Sequence, residues 1–261
     1  MGSIYRAIVP QALRVRLRKA IIALGIAKTA YGSNNAAYAQ FVLDHVDGRH
    51  PRECTICGKS GHFLAHGYIP RLDSQCPECK SLERHRWFWH VVTSLNLLTN
   101  EDRVLHFAPE GCLSAKIRGI VQDYVTADLY QGGVDKRLDI CSTGEADAQY
   151  DCIVANEVLE HVDDRRAIRE MARIIKPGGR LIVSFPYVAA WRDTYEDDSL
   201  DTDALRDLHF GQHDHLRIHG DDIFSRFGGE GFSFSRHTAD GSQCVRYGLT
   251  RGETLFVATR Q

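Results

Sequence analysis

From residue 104 onward, short apolar runs alternate with helical stretches, and few folds accommodate that alternation. Apolar runs at 104–107, 124–127, 148–155 and 180–185 read as strands, with helices up to residue 120 and over 165–175 between them. Strands separated by helices predict a parallel sheet with crossover helices, an α/β architecture. A further helix over 221–227 and strands at 232–237 and 254–259 close the chain. Its 261 residues leave room for more than this one sheet, on a scale of about 150 residues per domain. At 43% hydrophobic and 25% charged residues, a disordered or collagen-like chain is excluded.

Two cysteine pairs precede that region. Cys54-Thr-Ile-Cys57 and Cys76-Pro-Glu-Cys79 are separated by 18 residues, the spacing of structural zinc sites. Two residues between thiolates let a tight turn aim both sulfurs at one ion, and Gly58 relieves the first turn. Four thiolates fill a tetrahedron and leave no open position, so the expected ion is structural Zn2+ in a small zinc-ribbon-like module. The other four cysteines are scattered, which fits a reducing, cytoplasmic compartment better than a disulfide framework.

The net charge of −2 is unevenly spread. Residues 1–43 carry six basic residues and no acid, so that segment is +6 and the remainder is −8. An acidic body is a poor surface for nucleic acid, whose binding is dominated by phosphate neutralisation. Residues 1–30 read as a basic amphipathic helical arm, with Arg14, Arg16, Arg18 and Lys19 among apolar positions. One reading lays the arm on an anionic membrane, as a peripheral association. The other packs it on the body or pairs it with a second copy as a homo-oligomer. A further short helix is expected over 36–46. The longest apolar run, residues 20–27, is far short of the roughly 20 residues of a spanning helix. The basic start lacks a signal-peptide cleavage pattern.

Several motifs after residue 103 stand in a recognisable order: VLHFAPEGC, YVTADL, LDI, YDCIVANEVLEHV and RIIKPGGRLIVSFP. Together they resemble the class I S-adenosylmethionine-dependent methyltransferases. The resemblance implies a Rossmann-like sheet, mostly parallel with an antiparallel final strand. It places the donor's amino acid portion at the first turn, Phe107, Ala108, Pro109, Glu110 and Gly111. Asp128, followed by Leu129, would accept the ribose hydroxyls from a strand end. Asp139 and Ile140 stand where the family holds adenine, and Asn156 and Glu157 fall at the carboxyl end of the fourth strand. The first turn departs from the family pattern: it holds one glycine, and Pro109 removes a backbone donor. A narrower resemblance, carried by CPECKSLERHR, HFAPE, TADL and GQHDHLRIHG, is to bacterial methyltransferase-domain proteins associated with cell-surface saccharides and natural products. Within it the unusual first turn is a shared trait.

The expected organisation is therefore a basic arm at 1–50, a four-cysteine zinc module plus helix at 51–100, and a methyltransferase domain at 101–261. An insertion at about 187–219 lies on its substrate side. That insertion supplies candidates for activating an acceptor hydroxyl: His213 or His215 as general base with Asp214 to orient it. A divalent metal held there by His and Asp is a second reading. Glu160 and His161 are expected near the donor, lining the acceptor pocket or capping a helix. Arg84, His85, Arg86 and Arg217 are candidate anion contacts, although successive helical residues cannot all face one ligand. The leading function is O-methyl transfer to a saccharide or related small metabolite. The alternatives are an RNA methyltransferase that uses its zinc module for recognition, and a non-catalytic zinc-stapled interaction protein.

Overall fold

The computed structural model describes residues 47–67 and 70–261. The basic arm and the short helix expected over 36–46 lie outside the described residues. The described residues divide into two compact units, one of residues up to Glu83 with Ser242–Leu249, the other Arg84–Gly241 with Thr250–Gln261.

In the first unit, β1 (Asp47–Glu53), β2 (Ser60–His66) and β3 (Arg71–Gln75) form an antiparallel sheet in that order. The cysteine pairs occupy the turns after β1 and β3. Phe63, Ile56 and Ala65 are buried beside Cys54 and Cys76. The 242–249 segment was expected with the methyltransferase domain but counts with this unit. Two contacts tie it there: Arg52 donates to the Val245 carbonyl, and Arg246 pairs with Glu53 at 2.8 Å. The opposite reassignment applies to α1 (Glu83–Ser94), which was grouped with the cysteine module; from Arg84 on, it belongs to the second unit. Trp87 and Phe88 bury its apolar side, and the Trp87 indole donates to the His237 carbonyl at 2.7 Å.

The second unit is built on seven strands: β4 (Arg103–Phe107), β5 (Asp123–Asp128), β6 (Lys136–Arg137), β7 (Tyr150–Asn156), β8 (Ile175–Ser184), β11 (Phe232–Thr238) and β12 (Thr254–Arg260). A two-stranded ribbon, β9 (Tyr195–Glu196) with β10 (Arg217–Ile218), stands apart from them. The sheet order is β6-β5-β4-β7-β8-β12-β11. The first five are parallel, and β12 runs antiparallel to both its neighbours. This is the class I methyltransferase arrangement. Its central strands are covered on both faces and so read as continuous apolar runs, with Leu105, Ile153, Val183 and Phe256 in one core.

The crossover helices are α2 (Gly111–Ile117), α3 (Asp164–Ile174) and α5 (Ile223–Gly229), and α4 (Asp203–Phe210) sits in the insertion. Asp163 caps α3 by accepting from the Arg166 amide at 3.1 Å. At its other end the chain enters β8 at once. Lys176 to Gly179 form an irregular stretch where the β7–β8 register shifts. Gly178 takes φ 76°, and a Cβ on Gly179 would meet the Lys176 carbonyl at 2.8 Å, so the pair of glycines is needed there.

Candidate active site

The carboxyl ends of β4, β5 and β7 open onto a cavity of about 430 Å³. Open α/β sheets bind ligands at this edge, outside the carboxyl ends of the strands. The donor side of its wall is Phe107 and Ala108 after β4, Asp128, Leu129 and Tyr130 after β5, Leu138, Asp139 and Ile140 beyond β6, and Glu157 after β7. One Asp128 oxygen accepts from the amides of Tyr130 and Gln131, both at 2.7 Å, which fixes the carboxylate at the rim. Asp139 is held in the same way by the Cys141 amide at 2.8 Å. Glu157 accepts from the Ser184 hydroxyl at 2.8 Å and has φ 52°.

The first turn makes its sharp bend without the usual glycines. Ala108 adopts the left-handed conformation, φ 48°, and its amide donates to the Ala127 carbonyl at 2.9 Å. Glu110 turns away from the cavity. It bonds the buried His106 ring at 3.1 Å and lies 3.6 Å from His85. His106 in turn bonds Tyr124 at 2.7 Å, and Tyr124 donates to Ser114. Burial raises the Glu110 carboxyl, but the bond and charge of His106, with the charge of His85, bring it below its ordinary value. The expected donor contacts Pro109, Glu110, Gly111 and Asn156 are therefore not on the wall. Glu110 is used inside the turn, Gly111 is exposed, and Asn156 is buried beside its β8 partner Ser184.

Opposite the donor side, Val158, His161, Val162 and Asp214 complete the wall. His161 and Asp214 are 53 residues apart, and the insertion brings them together. The Leu216 amide donates to the Glu160 carbonyl at 2.8 Å, and Arg217 donates to the carbonyls of Leu159 and Val162. His161 Nδ1 lies 3.2 Å from the Asp214 carbonyl and 3.3 Å from its carboxylate. The buried His215 ring packs edge-on to His161, with centroids 4.8 Å apart. Burial, then the charge of His161, push His215 down to about 4, so it stays neutral and is a weak base. Glu160 is 0% exposed. Burial first, then the charge of Glu157, hold its carboxyl well above the ordinary value, with Arg84 opposing.

His213 is exposed and His215 lies behind the wall, so neither expected base faces the cavity; His161 does. Arg217 is absent from the wall as well, because its guanidinium is engaged by two carbonyls and by Glu196 at 2.8 Å. Along α1 the three basic residues diverge. Arg84 acts on Glu160, His85 meets Glu110 and Cys112, and Arg86 is fully buried. None of the three lines the cavity.

Four wall residues were missed. Val158 and Val162 are hidden within EVLEHV as ordinary apolar positions. Leu138 and Tyr130 flank residues that were named; Tyr130 is 87% exposed, which no hydropathy pattern signals.

In the first unit the four cysteine sulfurs converge. Cys54 and Cys79 are 3.5 Å apart, Cys57 and Cys76 are 3.7 Å apart, and all four lie within 4.8 Å of one another. A zinc–sulfur bond of about 2.3 Å demands tetrahedral sulfur separations of about 3.8 Å, so the set fits Zn2+. Two matching turns carry it: the Gly58 amide donates to the Cys54 carbonyl at 2.9 Å, and the Lys80 amide to the Cys76 carbonyl at 3.1 Å. Both Gly58 and Lys80 are left-handed, φ 75° and 61°.

Residues 120–183 match the family described as Methyltransferase domain. No curated protein matches the chain. Among solved structures it is similar to the YcgJ protein from Bacillus subtilis, at 15% identity and TM-score 0.47, over 68% of this chain and 99% of that one. It is also similar to an S-adenosylmethionine-dependent methyltransferase from Mesorhizobium loti, at 15% identity and TM-score 0.48, over 67% and 98%. A possible histamine N-methyltransferase from Thermotoga maritima aligns at 16% identity and TM-score 0.44, over 68% and 92%. Residues 120–183 are thus similar to a methyltransferase domain, and they lie within a sheet whose strand order is that of the class I methyltransferase fold.

Proposed function

We propose that the chain transfers the methyl group of S-adenosylmethionine to a hydroxyl of a saccharide or related small metabolite, with histidine assistance. The observation that supports this most is a shared space: Asp128 and Asp139 on the donor side and His161 and Asp214 on the other face one cavity. The Asp128 oxygen not used by backbone amides is free for ribose hydroxyls, and Asp139 and Ile140 stand where adenine is held. The acceptor oxygen attacks the methyl carbon in line with the carbon–sulfur bond. The sulfonium departs as a neutral thioether, and the hydroxyl proton must leave. A hydroxyl is a weak nucleophile, so assistance at the proton matters. Asp214 holds His161 by Nδ1, which fixes the imidazole at the wall. The four-cysteine set, with its tetrahedron filled, would hold Zn2+ structurally and take no part in the reaction. The acidic body disfavours the RNA reading.

An assay with labelled donor and a panel of saccharide acceptors tests this. His161→Ala should lower kcat by roughly 10²–10⁴ while spent-donor affinity is unchanged. An unaltered kcat in that variant would overturn the role of His161.

A further inference from the structure

We infer that Glu160, His161 and His215 form a divalent transition-metal site on the acceptor wall of the cavity. The methyl-transfer reading bears on what such an ion does there; the site itself rests on geometry.

The ligand atoms of these three side chains lie within 4.8 Å of one another, with His161 Nε2 4.0 Å from Glu160 Oε1. Each histidine has a nitrogen to offer. Asp214 takes His161 Nδ1, which leaves Nε2 directed at Glu160. The His215 Nδ1 is buried with no hydrogen-bond partner. Both carboxylate oxygens of the fully buried Glu160 are likewise without one, even with Arg84 near enough for its charge to act. Buried polar atoms are ordinarily satisfied. Here the orphaned atoms belong to two side chains from separate segments whose ligand atoms lie within 4.8 Å of one another and of His161, where a cation would supply the missing partner.

Bonds of about 2.0–2.2 Å place neighbouring ligand atoms on the order of 3 Å apart, so modest side-chain rotations complete the set. A histidine with its second nitrogen on a carboxylate is the usual support for a metal ligand. Two imidazoles and one carboxylate suit first-row transition ions better than calcium or magnesium, and three protein ligands leave positions open. His161 lies on the wall, so the open positions are available from the cavity. An ion there would bind the acceptor hydroxyl and acidify it, and the proton would leave to water. The assistance of His161 is then that of a ligand.

The test is titration of the full, zinc-loaded chain with Co2+, followed by metal analysis and visible spectroscopy. Cobalt on thiolates shows strong near-ultraviolet charge transfer; cobalt on nitrogen and oxygen does not. The expected result is one cobalt per chain beyond the retained zinc, without that band, and at least tenfold weaker binding in Glu160→Gln and in His215→Ala. Cobalt that enters only by displacing zinc, or binding that survives both substitutions, would overturn the site. Glu160→Gln keeps the side chain's shape, and spent-donor binding reports whether each variant is folded. Cobalt is read with neither donor nor acceptor present, so failure here is distinct from failure of methyl transfer.

Discussion

At the scale of single residues, the turn after β4 makes its sharp bend without the glycines usual in the family it resembles. Ala108 accepts a left-handed backbone, an uncommon conformation for a residue with a Cβ and a severe one for β-branched side chains. Ala108→Val should therefore cost about 1–3 kcal/mol in stability, measured by urea unfolding, and should weaken spent-donor binding. An unchanged unfolding midpoint would contradict the strained turn. Asp128 and Asp139, expected from the family resemblance, both line the cavity. Glu110 does not. Its partner His106 sits four residues earlier on a strand, where no helical spacing brings the two together, and its second neighbour His85 comes from α1. His161 was legible as a candidate for the acceptor side, but not its link to Asp214, which depends on how the insertion folds back.

Among elements, α3 carries a buried charge network that anchors the insertion to the sheet. Asp164 at its start bonds Arg226 of α5 at 2.6 Å and lies 3.4 Å from buried His219. Arg226 also reaches Glu196 of β9 at 3.0 Å. Burial opposes ionisation of Asp164, but the bond from His219 and the charges of Arg217 and Arg226 bring its carboxyl from the ordinary 3.8 down to about 2. A depressed folded-state value means stabilisation that is fully present above about pH 4 and is lost as pH falls toward 2. The contribution is about 2 kcal/mol. Unfolding midpoints of the wild type and Asp164→Asn should differ near pH 6 and converge near pH 2; a constant gap would contradict this account. The strands and helices of the main sheet could be read from apolar periodicity. The two-residue strands β6, β9 and β10 could not, since no period is visible in two residues. Helix ends also moved. The helix expected to follow the cysteine pairs within 51–100 stops at Ser94, ahead of a left-handed Asn96.

For the whole molecule, the family resemblance implied a mostly parallel sheet with an antiparallel final strand, and β12 is that strand. Chain grouping was harder to read. Nothing in residues 242–249 announces that they belong with the cysteine sheet, since that depends on Arg52 and Glu53 meeting a distant segment. If the four cysteines hold zinc as proposed, this small three-stranded sheet should depend on it, because structural zinc contributes folding energy directly. Chelation, or Cys76→Ser, should abolish hydrogen-exchange protection across β1, β2 and β3; protection that persists without metal would contradict a structural role. No helix among the described residues is long and apolar enough to cross a membrane.

The central claim is a working donor site built on an unusual first turn. Isothermal titration of the folded, zinc-loaded chain with S-adenosylhomocysteine tests it most directly. We expect binding by the wild type and at least a tenfold loss in Asp128→Ala, whose carboxylate faces the cavity from the end of β5. No binding by the wild type, or equal binding by the variant, would contradict the assignment of this cavity to the methyl donor.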